Sequence, residues 1–388
     1  MRHFGHIAPE VRQRLFFQEP CEFDADSPAR LLAAALGATL YSPATRPHLA
    51  DDVVKLAARG VVSMVLCLED SIGDEDVPAA EENLVRQFAD LAARPDVELP
   101  LLFIRVREPE QIPDLVHRMG PSVRLLSGFV MPKFTEESGT PFLEALTAAE
   151  AVSGHRLFGM PVLESPELLY RESRVETLEG ISRAVDKYRD RVLALRLGVT
   201  DFCSSYGLRR ASDMTAYDVQ IVANVIGDVV NMLGRADGTG FTVTGPVWEY
   251  FRVQERMFKP QLRRSPFLEG QAEELREALI EHAMDGLLRE IALDQANGLL
   301  GKTCIHPSHV LPVHALSVVS HEEFCDAQDI LRPERGGGGV LRSAYTNKMN
   351  EVKPHRAWAE RTMLRAEIFG VAREDVGFVE LLAAGIPG

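Results

Sequence analysis

VSMVLCLED, residues 62–70, is a short and nearly unbroken apolar run that ends on two carboxylates. A strand with one wet face alternates apolar and polar residues. A run without that alternation suits a parallel strand covered by helices on both faces. Seven more runs of this kind flank it: ATLYSPA (38–44), LLFIRVR (101–107), SGFVMPK (127–133), LFGMPVLES (157–165), VLALRLGVTD (192–201), FTVTG (241–245) and KTCIHP (302–307). Longer stretches of helical character separate them. Val222, Val225, Ile226, Val229 and Leu233 recur at helical spacing until Gly234 interrupts, and 271–296 is rich in Glu, Ala and Leu with Gly298 placed to cap it. Eight strand-like runs alternating with helices predict an α/β fold, a (β/α)₈ TIM barrel; a doubly wound open sheet carries the same alternation.

The barrel is expected over 38–332, after an N-terminal extension at 1–37. A glycine run at 336–339 lacks the context of a phosphate loop and reads as a spacer. It belongs to a C-terminal segment, 333–388, whose helix-prone tail from about Asn347 onward is too small to fold alone. Such a tail is expected to serve as a lid or an oligomerisation segment.

Bulk properties narrow the function. With 388 residues, 46% of them hydrophobic, the chain can bury a large core. The 42 basic and 57 acidic residues leave a net charge of -15. A surface this negative repels nucleic acid and anionic membranes, so neither is an expected partner. Five scattered cysteines without a CxxC pair argue against a disulfide framework or a zinc site. The opening MRHFGHIAPEVRQR has no apolar core of a secretory leader, and the longest apolar runs are too short to span a bilayer. A cytoplasmic location is the expectation.

In a barrel the C-terminal strand ends build the active site. Here they carry Glu69 and Asp70 on strand two, Arg105 and Arg107 on three, and Lys133 on four. Glu164 ends strand five, Asp201 strand six and His306 strand eight. Carboxylates from adjacent strands, without Cys or His in the motif, make a hard oxygen site of the kind that suits Mg²⁺. A cation there polarises a carbonyl and holds the charge of an enolate, and Arg105 adds a second positive contact. The same carboxylates also serve to cap a helix or pair with an arginine, and each basic residue also suits a structural ion pair. His306 has a second reading as a backbone hydrogen-bond partner. Cys203 reads as a packed side chain rather than a nucleophile.

Taken in order, VLCLEDSI, FIRVR, VMPKF, PVLES, LGVTDFCSSYG and GKTCIHPSHV resemble the motifs of the citrate lyase β-subunit/malyl-CoA lyase family, the HpcH/HpaI aldolase group. The likeness is closer to that group's outlying branch of C–C bond lyases on TIM barrels, and it covers roughly residues 38 to 332. The resemblance implies a Mg²⁺-dependent lyase or synthase with Glu164 and Asp201 as direct metal ligands. Glu69 and Asp70 would orient water around the ion, and Arg105 would face the reacting carbonyl. It also implies a homo-oligomer, a trimer or hexamer, and in many members an acyl-CoA substrate.

Departures from the family pattern are specific. NKMNEVKPH stands where relatives carry a Gly-Lys-Met-hydrophobic-Asp motif, which leaves Glu351 as the nearby proton carrier because Asn350 cannot transfer a proton. Arg107 replaces the family's strand-three Asn, and the first strand adds Arg46. A more basic mouth points to a more anionic small molecule, phosphorylated or polycarboxylate, rather than to CoA. Arg46, Arg107 and His306 are the expected substrate contacts, with Arg105, Glu69, Asp70, Lys133 and Glu351 as the catalytic set. Three rivals remain at this point: a metal-dependent aldolase on a non-CoA keto acid or phosphorylated substrate, a catalytically inactive barrel used as a binding subunit, and an isomerase or hydratase using the same metal-bound enolate.

Overall fold

The structure is a computed structural model that describes residues 1–251, 284–332, 334 and 338–385. Eight strands lie where the apolar runs predict them. They are β1 (Ala38–Pro43), β2 (Ser63–Cys67), β3 (Leu101–Arg105) and β4 (Leu126–Met131). The second half comprises β5 (Phe158–Leu163), β6 (Leu195–Leu197), β7 (Val243–Thr244) and β8 (Lys302–Cys304). All pair in parallel, in the order β7-β6-β5-β4-β3-β2-β1-β8. A parallel bridge between Gly245 and Lys302 joins the two edges, so the sheet wraps into a barrel.

Helices α1 (Leu49–Ala57), α2 (Val77–Ala92), α3 (Gln111–Met119) and α4 (Glu136–Ser153) cover the first four strands. After them come α5 (Arg174–Lys187), α6 (Gln220–Leu233), α7 (Asp285–Ala296) and α8 (Val310–Ser317). The five apolar residues that predict α6 are the five it buries. The expected helix over 271–296 is seen from Asp285; its earlier part lies outside the described residues. Gly298, at φ 88°, follows the Asn297 cap, and Leu299 N–H donates to Asp294 O at 2.9 Å. That is the left-handed turn a glycine permits after a helix.

The main core lies between the sheet and these helices. A second core fills the lower barrel, where Val65, Phe103, Val130 and Met160 from the strands meet Leu32, Ile368 and Phe369 from the two terminal segments. The extension supplies helix Ala29–Ala35. After α8 comes α9 (His321–Leu331), and the tail supplies α10 (Val352–Phe369) and α11 (Phe378–Gly385). The two segments meet directly: Phe16–Gln18 pairs antiparallel with Val371–Ala372. Chain ends therefore close the N-terminal face of the barrel and leave the C-terminal strand ends to the connecting loops. Of the expected glycine spacer, Gly338 and Gly339 have positive φ, while 336 and 337 lie outside the described residues. No described helix is long and apolar enough to cross a membrane.

Candidate active site

Arg105, the last residue of β3, organises the strand ends. Its Nη2 lies 2.7 Å from Glu69 Oε2, 2.9 Å from Glu164 Oε1 and 3.2 Å from Asp70 Oδ2. Glu69 and Asp70 follow β2 in a turn closed by Ile72 N–H on Glu69 O, and Asp70 N–H also donates to Glu69 Oε2 at 2.9 Å. Lys133, two residues past β4, binds with both backbone and side chain. Its N–H donates to Glu164 Oε1 at 2.9 Å, and its Nζ lies 3.3 Å from Glu69 Oε1. To aim that amide, Lys133 adopts φ 47°. A non-glycine residue pays about 1 kcal/mol for this left-handed conformation.

Glu164 follows β5 directly and is 3% exposed. Its carboxyl fits against Gly198: a Cβ at that position would lie 2.4 Å from Glu164 Oε2. The same glycine follows β6 directly and caps a short helix, Val199–Ser204, so Asp201 stands in that helix's first turn rather than on the strand. Asp201 is near enough to Glu164 to act on its ionisation.

Electrostatics follow from this packing. Burial, against the pull of Arg105 and with Asp201 adding to it, holds the Glu164 carboxyl up at about 7. Asp201 is also raised, by burial first and Asp70 second. Glu69 is raised by burial against the pull of Arg105. For Lys133, burial opposes the charge, but Glu69 more than restores it. Four carboxylates thus face two cations, an excess of two negative charges when all are ionised. That is the charge a divalent cation carries, and the donors are hard oxygens. Among the described residues, no three His, Cys, Asp or Glu side chains form a metal cage on their own. A pair of carboxylates leaves the remaining coordination to water and substrate.

The other expected site residues form no ion pair with this cluster among the described residues. Arg46 pairs with Asp52 of α1 at 2.6 Å and is largely exposed. Arg107 is spent on the β2–α2 loop: it pairs with Asp74 and donates to the carbonyls of Leu68, Glu69 and Ile72. It holds the turn that carries Glu69 and Asp70. His306 bonds Ser308 Oγ through Nδ1 at 2.8 Å and stacks on Phe251 at 4.6 Å. Glu351 is exposed at the start of α10, paired in strand fashion with Val340. Its neighbours Lys348 and Asn350 anchor that segment to Asp326 of α9.

Two inward-facing residues escape notice in the sequence. Arg196 lies in the middle of β6, and Tyr41 in β1 stands within electrostatic reach of both Arg196 and Arg105. The available signal was a lone charge inside the apolar run VLALRLGV.

A family model described as C–C bond lyase of the TIM-barrel fold matches residues 30–371. No curated protein matches the sequence. Among solved structures, a citrate lyase from Burkholderia xenovorans LB400 is similar with a TM-score of 0.59 at 15% identity, over 88% of this chain and 94% of that chain. The protein CitE from Mycobacterium tuberculosis, in complex with magnesium, acetoacetate and coenzyme A, has a TM-score of 0.52 at 19% identity, over 86% of this chain and 99% of that chain. Both likenesses are of fold.

Proposed function

The chain belongs to the family of C–C bond lyases of the TIM-barrel fold, and from that membership we propose that it cleaves or forms a carbon–carbon bond beside a carbonyl with the help of Mg²⁺. Glu164 and Asp201 would hold the ion, with Glu69 and Asp70 orienting water around it. The observation that carries this reading is the convergence of Glu69, Asp70 and Glu164 on Arg105, with Lys133 on Glu69 and Asp201 within electrostatic reach, which leaves two negative charges in excess when all four are ionised. When bound, such a cation polarises a carbonyl oxygen and offsets the charge of an enolate.

The chain's own residues do the remainder. Arg105 gathers three carboxylates on one nitrogen and sets positive charge beside the point where negative charge develops. Lys133 fixes Glu164 through its amide and Glu69 through its ammonium. Burial of Glu164 keeps water from screening these contacts. Glu351 is exposed and held on α9 and α10, which fits a proton carrier at the mouth of a neighbouring copy in a homo-oligomer. The likeness to CitE makes an acyl-CoA the first substrate class to assay, with keto acids as the second.

Calorimetric titration with Mg²⁺ tests the site. Wild type is expected to bind the ion, and Glu164→Gln and Asp201→Asn to lose that binding while staying folded. Undiminished binding in both variants would remove the proposed centre.

A further inference from the structure

Among the described residues, three cations are buried almost completely: Arg196, Arg210 and Lys302. Two of them are neutralised. Lys302 Nζ lies 2.8 Å from Glu290 and 2.7 Å from Asp294, and Arg210 Nη1 lies 2.7 Å from Glu290. Arg196, 1% exposed, has no carboxylate within ion-pair distance among the described residues. Its neighbours are hydroxyls and a thioether: Nη2 donates to Thr303 Oγ1 at 2.8 Å, while Nη1 lies 3.4 Å from Thr39 Oγ1 and 3.8 Å from Met160 Sδ. Nε has no acceptor. On the next strand Thr244, the register partner of Arg196, has a buried hydroxyl with no partner either. Burying a charge without a counter-charge is costly, and nothing in the packing of β6 requires it.

We propose that Arg196 is a carboxylate-binding subsite inside the barrel, one layer below Glu164, so that the substrate bears a second carboxylate directed down the barrel axis. Arg196 pairs in register with Val162, and Glu164 is the next inward-facing residue on that strand. Successive inward layers lie roughly 7 Å apart, the span of a short diacid. Thr303 and Tyr41 beside the guanidinium are only partly buried, so its Nη2 end borders the space below the mouth. The Tyr41 ring centroid lies 5.5 Å from Arg196 Cζ and links this layer to Arg105 above. A planar guanidinium with free N–H groups takes a carboxylate in two parallel hydrogen bonds. The inference rests on the active-site reading above and adds the shape of the substrate to it.

Two calorimetric arms separate the two readings. In Mg²⁺, wild type, Arg196→Met and Arg196→Lys are titrated with pyruvate, 2-oxoglutarate and 2-oxoadipate. Without metal, in chelator, the same proteins and Glu164→Gln are titrated with glutarate and butyrate. Wild type should bind a diacid at least about tenfold more tightly than the monoacid, a gap near that of one charge-assisted bidentate pair. Arg196→Met should lose that preference while binding pyruvate as wild type does, and Arg196→Lys should keep part of it. Glu164→Gln should lose Mg²⁺ yet still prefer glutarate, so failure of the metal site leaves this arm readable. A wild type indifferent to the second carboxylate in both arms overturns the proposal, as does a preference that Arg196→Met retains. Should Arg196→Met fail to fold, an undiminished preference in Arg196→Lys overturns it.

Discussion

Glu164 has its place because residue 198 has no side chain. A Cβ there would lie 2.3 Å from the Glu164 Cβ and 2.4 Å from Oε2. Gly198 itself has φ -94°, open to any residue, so alanine at this position acts through steric contact alone. Gly198→Ala should weaken Mg²⁺ binding about tenfold or more, a loss of at least about 1.4 kcal/mol, because the carboxyl must turn away. Calorimetry beside a circular-dichroism melt checks this; native Mg²⁺ affinity in the variant would show that the carboxyl's seat does not matter. At this scale the six clustered residues, Glu69, Asp70, Arg105, Lys133, Glu164 and Asp201, were legible because strand ends in a barrel share one rim. Arg46, Arg107 and His306 sit on the same strand ends in sequence, yet Asp52, Asp74 and Ser308 engage them. Which acid lies opposite a given arginine depends on loop paths, and those carry no periodicity.

One buried charge network ties elements together. Lys302 on β8 reaches Glu290 and Asp294 of α7, and Glu290 also takes Arg210 and the N–H of Ala216 at 2.7 Å. Tyr217 donates to Asp294 Oδ1 at 2.8 Å. Burial lifts Asp294 to about 6 against the pull of Lys302. The network fastens α7 and the loop after Asp201 to the strand that closes the barrel. Lys302→Met leaves a buried carboxylate uncompensated and should cost about 3–5 kcal/mol, seen as a lowered urea midpoint. Adding Asp294→Leu should recover much of it; a loss under about 1 kcal/mol in the single variant would show that the pair contributes little. In sequence, Lys302 is one lysine before an apolar run, and Glu290 and Asp294 look like the solvated face of a helix. Only the docked helix shows that this face points inward.

Both chain ends close the lower barrel, and their contact sets how the whole molecule responds to acid. His3 lies 4.3 Å from the Phe369 ring and 4.4 Å from His314, and donates to Ala35 O at 3.0 Å. His314 Nε2 accepts from Ala38 N–H at 3.2 Å, at the start of β1. Burial lowers His3 to about 3 and holds His314 well below 6.5, with His3 and His6 adding to it; His6 is itself lowered by burial. A histidine depressed in the folded state contributes stability that is present above pH 6.5 and lost as pH falls toward its folded value. Each should therefore steepen acid destabilisation by about 1.4 kcal/mol per pH unit below about 6.5. Urea unfolding of wild type and His3→Phe between about pH 6.5 and about pH 4.5 should diverge by that slope; parallel curves would mean His3 is not held neutral. Apolar runs and their order by themselves determined eight parallel strands and the strand ends on which the acids gather, because burial on both faces leaves a continuous apolar signature. Folding alone decided that the sheet closes into a barrel, which charges meet, that the two chain ends seal one face, and that Arg196 faces the interior with no carboxylate beside it among the described residues. Those outcomes depend on contacts between residues far apart in the chain, which no local pattern encodes.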